Sequence, residues 1–252
     1  MVLYFIGLGL EDEKDITVKG LYAVKKSDYV FLENYTSLLQ VPVEKLEEFY
    51  GKKIIGADRN LVENNADEIL DKAKDKNVSF LVVGDIFGAT THTDLWLRAK
   101  EKNIECRFIH NASVINVAGS VGLELYKFGK TTSIVFPEKN YNPKTAYDVI
   151  KMNKKNGLHT LCLLDIKSKD NKFMSVKEGL NLLLEKENEL GKKLINGDTK
   201  VIGCARLGCK DKKIKYSVVK DLLKEDFGKP PHCIIVPGEL HFIEEEALKN
   251  WV

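Results

Sequence analysis

The sequence predicts an α/β protein made of two α/β domains. Short apolar runs alternate with amphipathic stretches along the chain, which is the pattern of strands separated by helices. Glycine or other turn residues follow several apolar runs, as expected where strands lead into loops. A length of 252 residues leaves room for two domains. We place the boundary near residue 112, which predicts an N-terminal domain of residues 1–112 and a C-terminal domain of residues 113–252.

The N-terminal half is expected to contain five strands with helices between them. The clearest strand is residues 78–83, where five of six residues are apolar and Gly84 follows. Thr17 is expected to cap the first helix, which begins at residue 18. A further helix is predicted where apolar residues fall on one face of residues 58–76. The other predicted elements are strands at residues 2–6, 29–33, 53–55 and 106–109 and a helix at residues 94–102.

The C-terminal half is expected to begin with a buried helix over residues 114–126, because that stretch is rich in small and apolar residues. Pro143 precedes a predicted helix at residues 144–156. The polar residues 167–172 are expected to form an exposed loop. The other predicted elements are strands at residues 133–136, 160–166, 201–207 and 233–236 and helices at residues 175–190, 218–227 and 244–251.

Composition and charge exclude several classes of protein. Hydrophobic residues make up 44% and charged residues 30% of the chain, so it has too much apolar content for a disordered protein. A net charge of +2 gives no general attraction to nucleic acid or to an anionic membrane. No apolar run approaches the ~20 residues that cross a bilayer, and the apolar start lacks the basic residues of a secretory signal. We therefore expect a cytoplasmic protein with neither a nucleic-acid nor a membrane partner.

Cysteine spacing and catalytic motifs give no sign of a metal site. The five cysteines are scattered and none forms a CxxC pair, which predicts reduced thiols rather than zinc ligands or a disulfide framework. No Ser-His-Asp order, HExxH motif or carboxylate pair stands out. Candidate functional residues are therefore sought in the loops at strand ends.

The first candidate loop is Gly7-Leu8-Gly9-Leu10, which follows the first strand. Glycines in such a loop let the backbone approach a ligand closely. A dinucleotide fingerprint would need a third glycine where Asp12 stands, so this is not a standard Rossmann loop. A tight turn without a ligand explains the two glycines at least as well.

The second candidate loop runs from Gly84 to His92, after the clearest strand. Ligands of open α/β sheets bind beyond the carboxyl ends of strands, where this loop lies. Asp85 could accept hydrogen bonds from a ribose or an ammonium group, or it could simply stabilise the turn. His92 could act as a general base, although a structural or solvent-facing histidine is at least as plausible.

Further candidates follow or precede other strands. Ser113 can cap the next helix and leave backbone N–H groups free for a ligand. Leu164 and Leu207 lie at the ends of two predicted strands, and His232 precedes a third. Taken one at a time, each of these residues is explained without a ligand, by helix capping or by core packing. Together, the strand-end residues of both halves predict a small-molecule site in a cleft between the two domains.

Several strings in these loops occur together in one known family. They are GLGL at residues 7–10, KDITVKGL at 14–21, GATTH at 88–92, HNAS at 110–113, HTLCLLDIK at 159–167 and ARLG at 205–208. With these strings, the chain resembles the diphthine synthases, a branch of the tetrapyrrole methylase-like family, from residue 3 to about residue 237. GATTH and HNAS distinguish this branch from the methylases of the cobalamin pathway.

The resemblance implies an S-adenosylmethionine-dependent methyltransferase, a homodimer with its cofactor in the cleft between two α/β domains. Its implied substrate is a histidine of translation elongation factor 2 that carries a 3-amino-3-carboxypropyl group. The family methylates the amino group of that residue, and its eukaryotic members also methylate the carboxylate. Residues 88–92 and 159–167 resemble the eukaryotic members, so formation of the methyl ester is expected as well.

Site residues are carried over from the family position by position. The cofactor contacts implied by the resemblance are Leu10, Asp85, Gly88, Ser113, Val114, Leu164, Leu207 and His232. No catalytic nucleophile, acid or metal is expected, and His92 is the one candidate for proton removal. Two alternatives stay open: a tetrapyrrole methylase that acts on a corrinoid precursor, and a non-catalytic α/β module that binds a nucleotide or a protein.

Overall fold

A computed structural model describes residues 1–88, 90–139 and 141–252 of the chain, without the side chain at residue 169. Ala89 of the GATTH string therefore lies outside the described residues. The chain divides into two compact units, Met1–Val114 and Ile115–Val252. This division falls two residues after the boundary predicted from the sequence.

Five parallel strands form the sheet of the first unit, in the order β3-β2-β4-β1-β5. All five residues of the central β4 are buried, as expected for a parallel strand that is covered on both faces. The elements are β1 Val2–Gly7, α1 Val18–Lys26, β2 Tyr29–Glu33, α2 Val43–Tyr50, β3 Ile55–Ala57, α3 Arg59–Glu63, α4 Asp67–Asp75, β4 Val78–Val82, α5 Thr93–Glu101 and β5 Glu105–Ile109.

Two helices of the first unit differ from the prediction. Residues 58–76 form two helices, α3 and α4, because the chain leaves the helix at Asn64 and Asn65, residues that favour helix ends. Helix α2 was not predicted, although Pro42 precedes it and Gly51, with φ of +67°, ends it. It buries Leu46 and Tyr50 against the first unit.

The sheet of the second unit is mixed, with the order β11-β10-β12-β7-β6. Strands β6 and β7 are parallel, whereas β7, β12, β10 and β11 pair antiparallel. The elements are α6 Val114–Val117, β6 Thr132–Ile134, α7 Thr145–Lys155, β7 Thr160–Leu164, β8 Ile166–Lys167, β9 Lys172–Phe173, α8 Val176–Leu190, β10 Lys200–Ala205, β11 Lys213–Val218, α9 Val219–Leu222, β12 His232–Val236 and α10 Phe242–Leu248, with short 3-10 helices at Ala118–Val121, Leu125–Lys127, Ser168–Asp170 and Lys249–Trp251.

The predicted helix over residues 114–126 was wrong in its length. It is a single turn, α6, followed by two 3-10 helices. Gly122 interrupts it with φ of +98°, and a Cβ there would lie 2.5 Å from Ala247 Cβ of α10. The chain therefore turns at the point where it packs against α10, a contact that local composition does not report.

Two other predictions for the second unit also need correction. Strand β11 occupies residues for which the sequence predicts no element, and it shortens the expected helix at 218–227 to α9. Its lysine-rich sequence is typical of an edge strand. The expected loop at residues 167–172 begins and ends in the small antiparallel pair β8–β9, with the 3-10 helix Ser168–Asp170 between the two strands.

Candidate functional site

The loops after β1 and β4 pair with each other in the first unit. The strand register sets Gly7 beside Val82. Beyond the strands, Leu8 N donates to Val82 O at 2.8 Å, and Gly9 and Gly84 exchange two backbone hydrogen bonds of 3.3 and 2.7 Å. Both glycines have positive φ, +82° and +83°, which explains why glycine stands at each position.

Asn111 joins the loop after β5 to the same cluster. Its Nδ2 donates to Gly7 O at 3.0 Å and to Asp15 O at 2.9 Å. Asp15 Oδ2 in turn accepts hydrogen bonds from the backbone N–H groups of Leu10 and Glu11. Neither Asn111 nor Asp15 is among the predicted site residues, although a polar side chain that follows a strand is a signal that could have singled out Asn111.

Asp85 links the loops after β4 and β5 through both carboxylate oxygens. Oδ2 accepts from His110 Nδ1 at 2.9 Å and from Asn111 N at 3.1 Å, and Oδ1 accepts from Phe87 N at 3.2 Å. Burial acts to raise the pKa of Asp85, but these hydrogen bonds outweigh it, and the pKa lies below its ordinary value. The side chain keeps 18% exposure, so the ionised carboxylate stabilises a turn and still reaches solvent.

If Asp85 contacts the S-adenosylmethionine that the resemblance implies, Asp85→Ala should weaken its binding by about 1–3 kcal/mol, because a charge-assisted acceptor is lost and the two loops are no longer tied. Isothermal calorimetry measures the effect. Asp148→Ala, which removes an exposed carboxylate of α7, is the control. An unchanged dissociation constant in folded D85A would reject this role.

Gly88 packs directly against Ser113. An ideal Cβ at Gly88 would lie 3.1 Å from Ser113 Oγ and 3.2 Å from Ser113 Cβ, closer than ordinary contact. Ser113 is buried, and Val114 opens α6 immediately after it. With Leu10 and Asp85, these are all the cofactor contacts predicted in the first unit, and they lie in three loops at one end of its sheet.

His92 is buried in the core of the first unit with no exposed surface. Its ring meets Phe80 edge-on with 5.1 Å between centroids, and Nδ1 lies 3.2 Å from Ile86 O. Burial lowers the pKa of His92 to about 4, so the imidazole is neutral at neutral pH. A general base must reach its substrate, and this position instead favours the structural role that the sequence had left open.

The low pKa of His92 predicts a pH-dependent stability. Between about 4 and 6.5 the unfolded chain binds a proton at this residue and the folded chain does not, so stability falls as pH is lowered through that range. The full loss is on the order of 3 kcal/mol. Urea unfolding at pH 7.5 and pH 5 should show a smaller loss for His92→Gln than for the wild type. Exposed His241→Gln is the control, and equal losses for H92Q and wild type would contradict the prediction.

The candidate contacts of the second unit also gather at one end of a sheet. Strand β12 lies between β10 and β7 and runs antiparallel to both. The start of β12 at His232 therefore lies beside the end of β7 at Leu164 and near Leu207, two residues beyond β10. Both leucines are 6% exposed.

One ring nitrogen of His232 has a buried lone pair. Nε2 lies 3.1 Å from Gly228 O and 3.0 Å from Lys229 O, so it carries the proton. Burial lowers the pKa of His232, which keeps Nδ1 unprotonated. Nδ1 is buried and has no hydrogen-bond partner within the described part of the chain. A buried acceptor without a partner, at a sheet end that also carries two buried leucines, fits a ligand that presents a hydrogen-bond donor on an apolar body.

Two further observations concern metals and membranes. Among residues 1–88, 90–139 and 141–252, no group of three or more His, Cys, Asp or Glu side chains could hold a metal ion. In the same described residues, no helix has the length and apolar content needed to cross a membrane.

Comparison with known proteins agrees with the resemblance. Residues 2–223 match the family described as Tetrapyrrole (Corrin/Porphyrin) Methylases. The chain is 51% identical over 251 residues to the Diphthine synthase of Methanocaldococcus jannaschii, covering 98% of each chain. It is 49% identical over 268 residues to the Diphthine methyl ester synthase of Dictyostelium discoideum, covering 100% of this chain and 98% of the relative.

A solved structure gives the same result. The crystal structure of a provisionally assigned diphthine synthase from Entamoeba histolytica matches with a TM-score of 0.92 at 49% identity, covering 99% of this chain and 98% of that chain. Identity of about one half over the whole length means that fold and family are shared. The chain therefore belongs to the diphthine synthases, a branch of the tetrapyrrole methylase family.

Proposed function

We propose that the chain transfers methyl groups from S-adenosylmethionine to the 3-amino-3-carboxypropyl-histidine of translation elongation factor 2, as a step of diphthamide biosynthesis. The observation that carries this proposal is the similarity to diphthine synthases over the whole chain. The strand-end loops of both units support it, because they offer polar groups, close backbone approach and buried apolar side chains. Residues 2–223 also match the wider Tetrapyrrole (Corrin/Porphyrin) Methylases, but the relatives that align with the whole chain are named for diphthine and not for a corrinoid.

The cofactor is proposed to be held by residues carried over from the family, five in the first unit and three in the second. The proposed contacts are Leu10, Asp85, Gly88, Ser113, Val114, Leu164, Leu207 and His232. Asp85 supplies a negative charge suited to a hydroxyl or ammonium group, and the buried leucines suit a flat apolar ring. Gly88 has no side chain, so it leaves open the space next to Ser113 that a Cβ would fill.

The residues of the chain mainly orient the reactants in this reaction. The bound cofactor supplies a methyl group that its sulfonium already activates. Alignment of a nucleophile for such a displacement supplies several kcal/mol, up to roughly 7–11 in well-oriented systems. The substrate amine, with a pKa near ~8, is partly neutral at cellular pH, and a carboxylate needs no base. The chain therefore needs no buried base such as His92, and its loops hold the donor in line.

We propose that the carboxylate is methylated as well as the amine. Residues 88–92 and 159–167 resemble the eukaryotic members, and the Dictyostelium relative named for the methyl ester aligns with the whole of this chain. That alignment spans 268 positions against 252 residues here, so about 16 positions of the relative have no counterpart.

Mass spectrometry of elongation factor 2 tests the proposal. The factor, carrying the 3-amino-3-carboxypropyl group, is incubated with the protein and S-adenosylmethionine, and its modified peptide is analysed before and after mild alkaline treatment. Added methyl groups that survive alkali report methylation of the amine, and methyl groups lost in alkali report the ester. A peptide that gains no mass would overturn the proposed function, and a peptide with only stable methyl groups would overturn ester formation.

We also propose that the protein is a homodimer in the cytoplasm, on the basis of the family alone. Light scattering at micromolar concentration measures the assembly. A monomer mass would contradict the homodimer, and a fluorescent fusion found outside the cytoplasm would contradict the location.

A further inference from the structure

Arg206 occupies an unusual position at the end of β10. Its backbone has φ of +49°, which is rare for a residue with a side chain. Its N–H donates to Pro231 O at 2.8 Å, and its carbonyl accepts from Cys209 N at 2.9 Å. Backbone conformations of this kind persist where surrounding contacts over-determine them. At Arg206, the contacts of its own side chain hold the backbone in this conformation.

The guanidinium of Arg206 is buried and joins two loops. It is 7% exposed. Nε donates to Asp211 Oδ2 at 2.7 Å, and Nη2 donates to Asp211 O at 2.9 Å. Nη1 donates to Phe227 O at 3.2 Å and also to Lys229 O. The planar fork of arginine makes these bonds in fixed directions, and the single ammonium of lysine cannot reproduce them.

The carbonyl of Lys229 connects Arg206 to His232. It accepts from Arg206 Nη1 and lies 3.0 Å from His232 Nε2. A carbonyl held in place on one side by Arg206 presents a fixed acceptor to the imidazole on the other. Nε2 is thereby kept as the protonated nitrogen, and Nδ1 keeps the buried, unpartnered lone pair described above.

We propose that Arg206 is a positioning residue, which holds residues 227–231 so that His232 presents Nδ1 to an N–H group of the bound methyl donor. This inference rests on the proposed function. Leu164 and Leu207, at the neighbouring strand ends, are buried and apolar, which suits an aromatic base rather than a ribose or an amino-acid group. The N–H group is therefore assigned to the exocyclic amine of the adenine.

The electrostatics of the site agree with this assignment. Burial lowers the pKa of His232, and the Arg206 cation lowers it further, whereas hydrogen bonds to the carbonyls of Lys229 and Gly228 and the charge of Asp226 act in the opposite direction. The net effect keeps the ring neutral, which an acceptor nitrogen requires.

The test compares Arg206→Lys with Arg98→Lys, a matched change at an arginine of the first unit that also donates to a backbone carbonyl. Calorimetry uses S-adenosylhomocysteine, which cannot react. R206K is expected to bind it about tenfold more weakly, with R98K unchanged. In steady-state assays the KM for the methyl donor should rise by a similar factor, with kcat changed by less than about threefold.

Two further readouts separate positioning from a general loss of structure. Nitrogen NMR of the free protein should show the Nε2-protonated ring of His232 in the wild type and a mixture of tautomers in R206K. An analogue of S-adenosylhomocysteine without the 6-amino group should bind the wild type more weakly than the parent ligand, and R206K should show a smaller difference. If R206K does not fold, Asp211→Asn is used instead. It is expected to weaken binding of S-adenosylhomocysteine as well, but by a smaller factor.

The outcomes distinguish this inference from the proposed function. A wild-type protein that does not bind S-adenosylhomocysteine overturns the proposed function. A wild type that binds, with R206K binding within about twofold or keeping the His232 tautomer, overturns the role of Arg206 alone. Equal binding of the analogue and the parent ligand to the wild type overturns the assignment of the adenine amine.

Discussion

Gly88→Val is expected to reduce the rate of methyl transfer roughly 100-fold while the protein stays folded. The Cβ alone would press against Ser113, 3.1 Å from Oγ and 3.2 Å from Cβ, and the two methyl groups of valine need further space. The loop must move away from Ser113, and both residues are proposed to hold the methyl donor. Displacement of the donor by even ~1 Å costs alignment, whereas the free energy of unfolding should fall by only about 1–3 kcal/mol.

Thermal unfolding and methyl incorporation are measured on the same preparation of G88V. Gly88→Ala is expected to reduce methyl transfer by an intermediate factor, because a Cβ alone requires Ser113 to shift by only a few tenths of an ångström. Gly197→Val is the matched control, since a Cβ there would meet only Lys220 Cβ at 3.7 Å. Should G88V methylate elongation factor 2 at the wild-type rate, Gly88 is a turn residue alone and this loop does not hold the cofactor.

Asn111→Asp is expected to have the largest effect on stability, with a loss of about 2–4 kcal/mol at pH 7. The amide nitrogen donates to two carbonyl oxygens, those of Gly7 and Asp15. A carboxylate cannot donate and would face the same two oxygens with its negative charge. The loop after β5 would lose these ties to the loop after β1, so binding of S-adenosylmethionine should fall together with stability.

The pH dependence of N111D gives this prediction a distinctive readout. A protonated aspartic acid can donate one of the two lost hydrogen bonds, so the difference from wild type in urea unfolding should shrink as pH is lowered from 7 to 5. Asn156→Asp is the control, because Asn156 Nδ2 also donates to a carbonyl, that of Met152, but on an exposed helix end. A difference that is the same at both pH values would mean that the charge is not responsible.

Much of the fold could be predicted because its elements carry strong local patterns. Strand β4 is apolar except for Ser79 and lies between two polar turns, and α1 has a capping threonine whose side chain accepts from Gly20 N as expected. Strand β11 was missed because its alternating lysines resemble a solvated loop when its neighbour β10 is not known. Helix α2 was missed although its start and stop signals were present.

The candidate site was predictable as a set of loops but not as a set of contacts. The glycine-rich strings identified the loops after β1 and β4, and the family resemblance gave the contacts proposed here. The sequence did not distinguish a buried from an exposed His92, because a histidine between polar loop residues carries no periodic pattern. It also did not single out Asn111 or Arg206, whose partners lie in other segments of the chain.

By itself, the sequence determined the α/β class, most of the strands and the family to which the chain belongs, because these depend on patterns within short segments. Only the tertiary structure decided which side chains hold the loops together. Asn111 and Gly7 are 104 residues apart in sequence, and their hydrogen bond forms because parallel pairing brings the ends of β1 and β5 to the same edge of the sheet. A contact of this kind depends on strand order and register, and no local pattern encodes it.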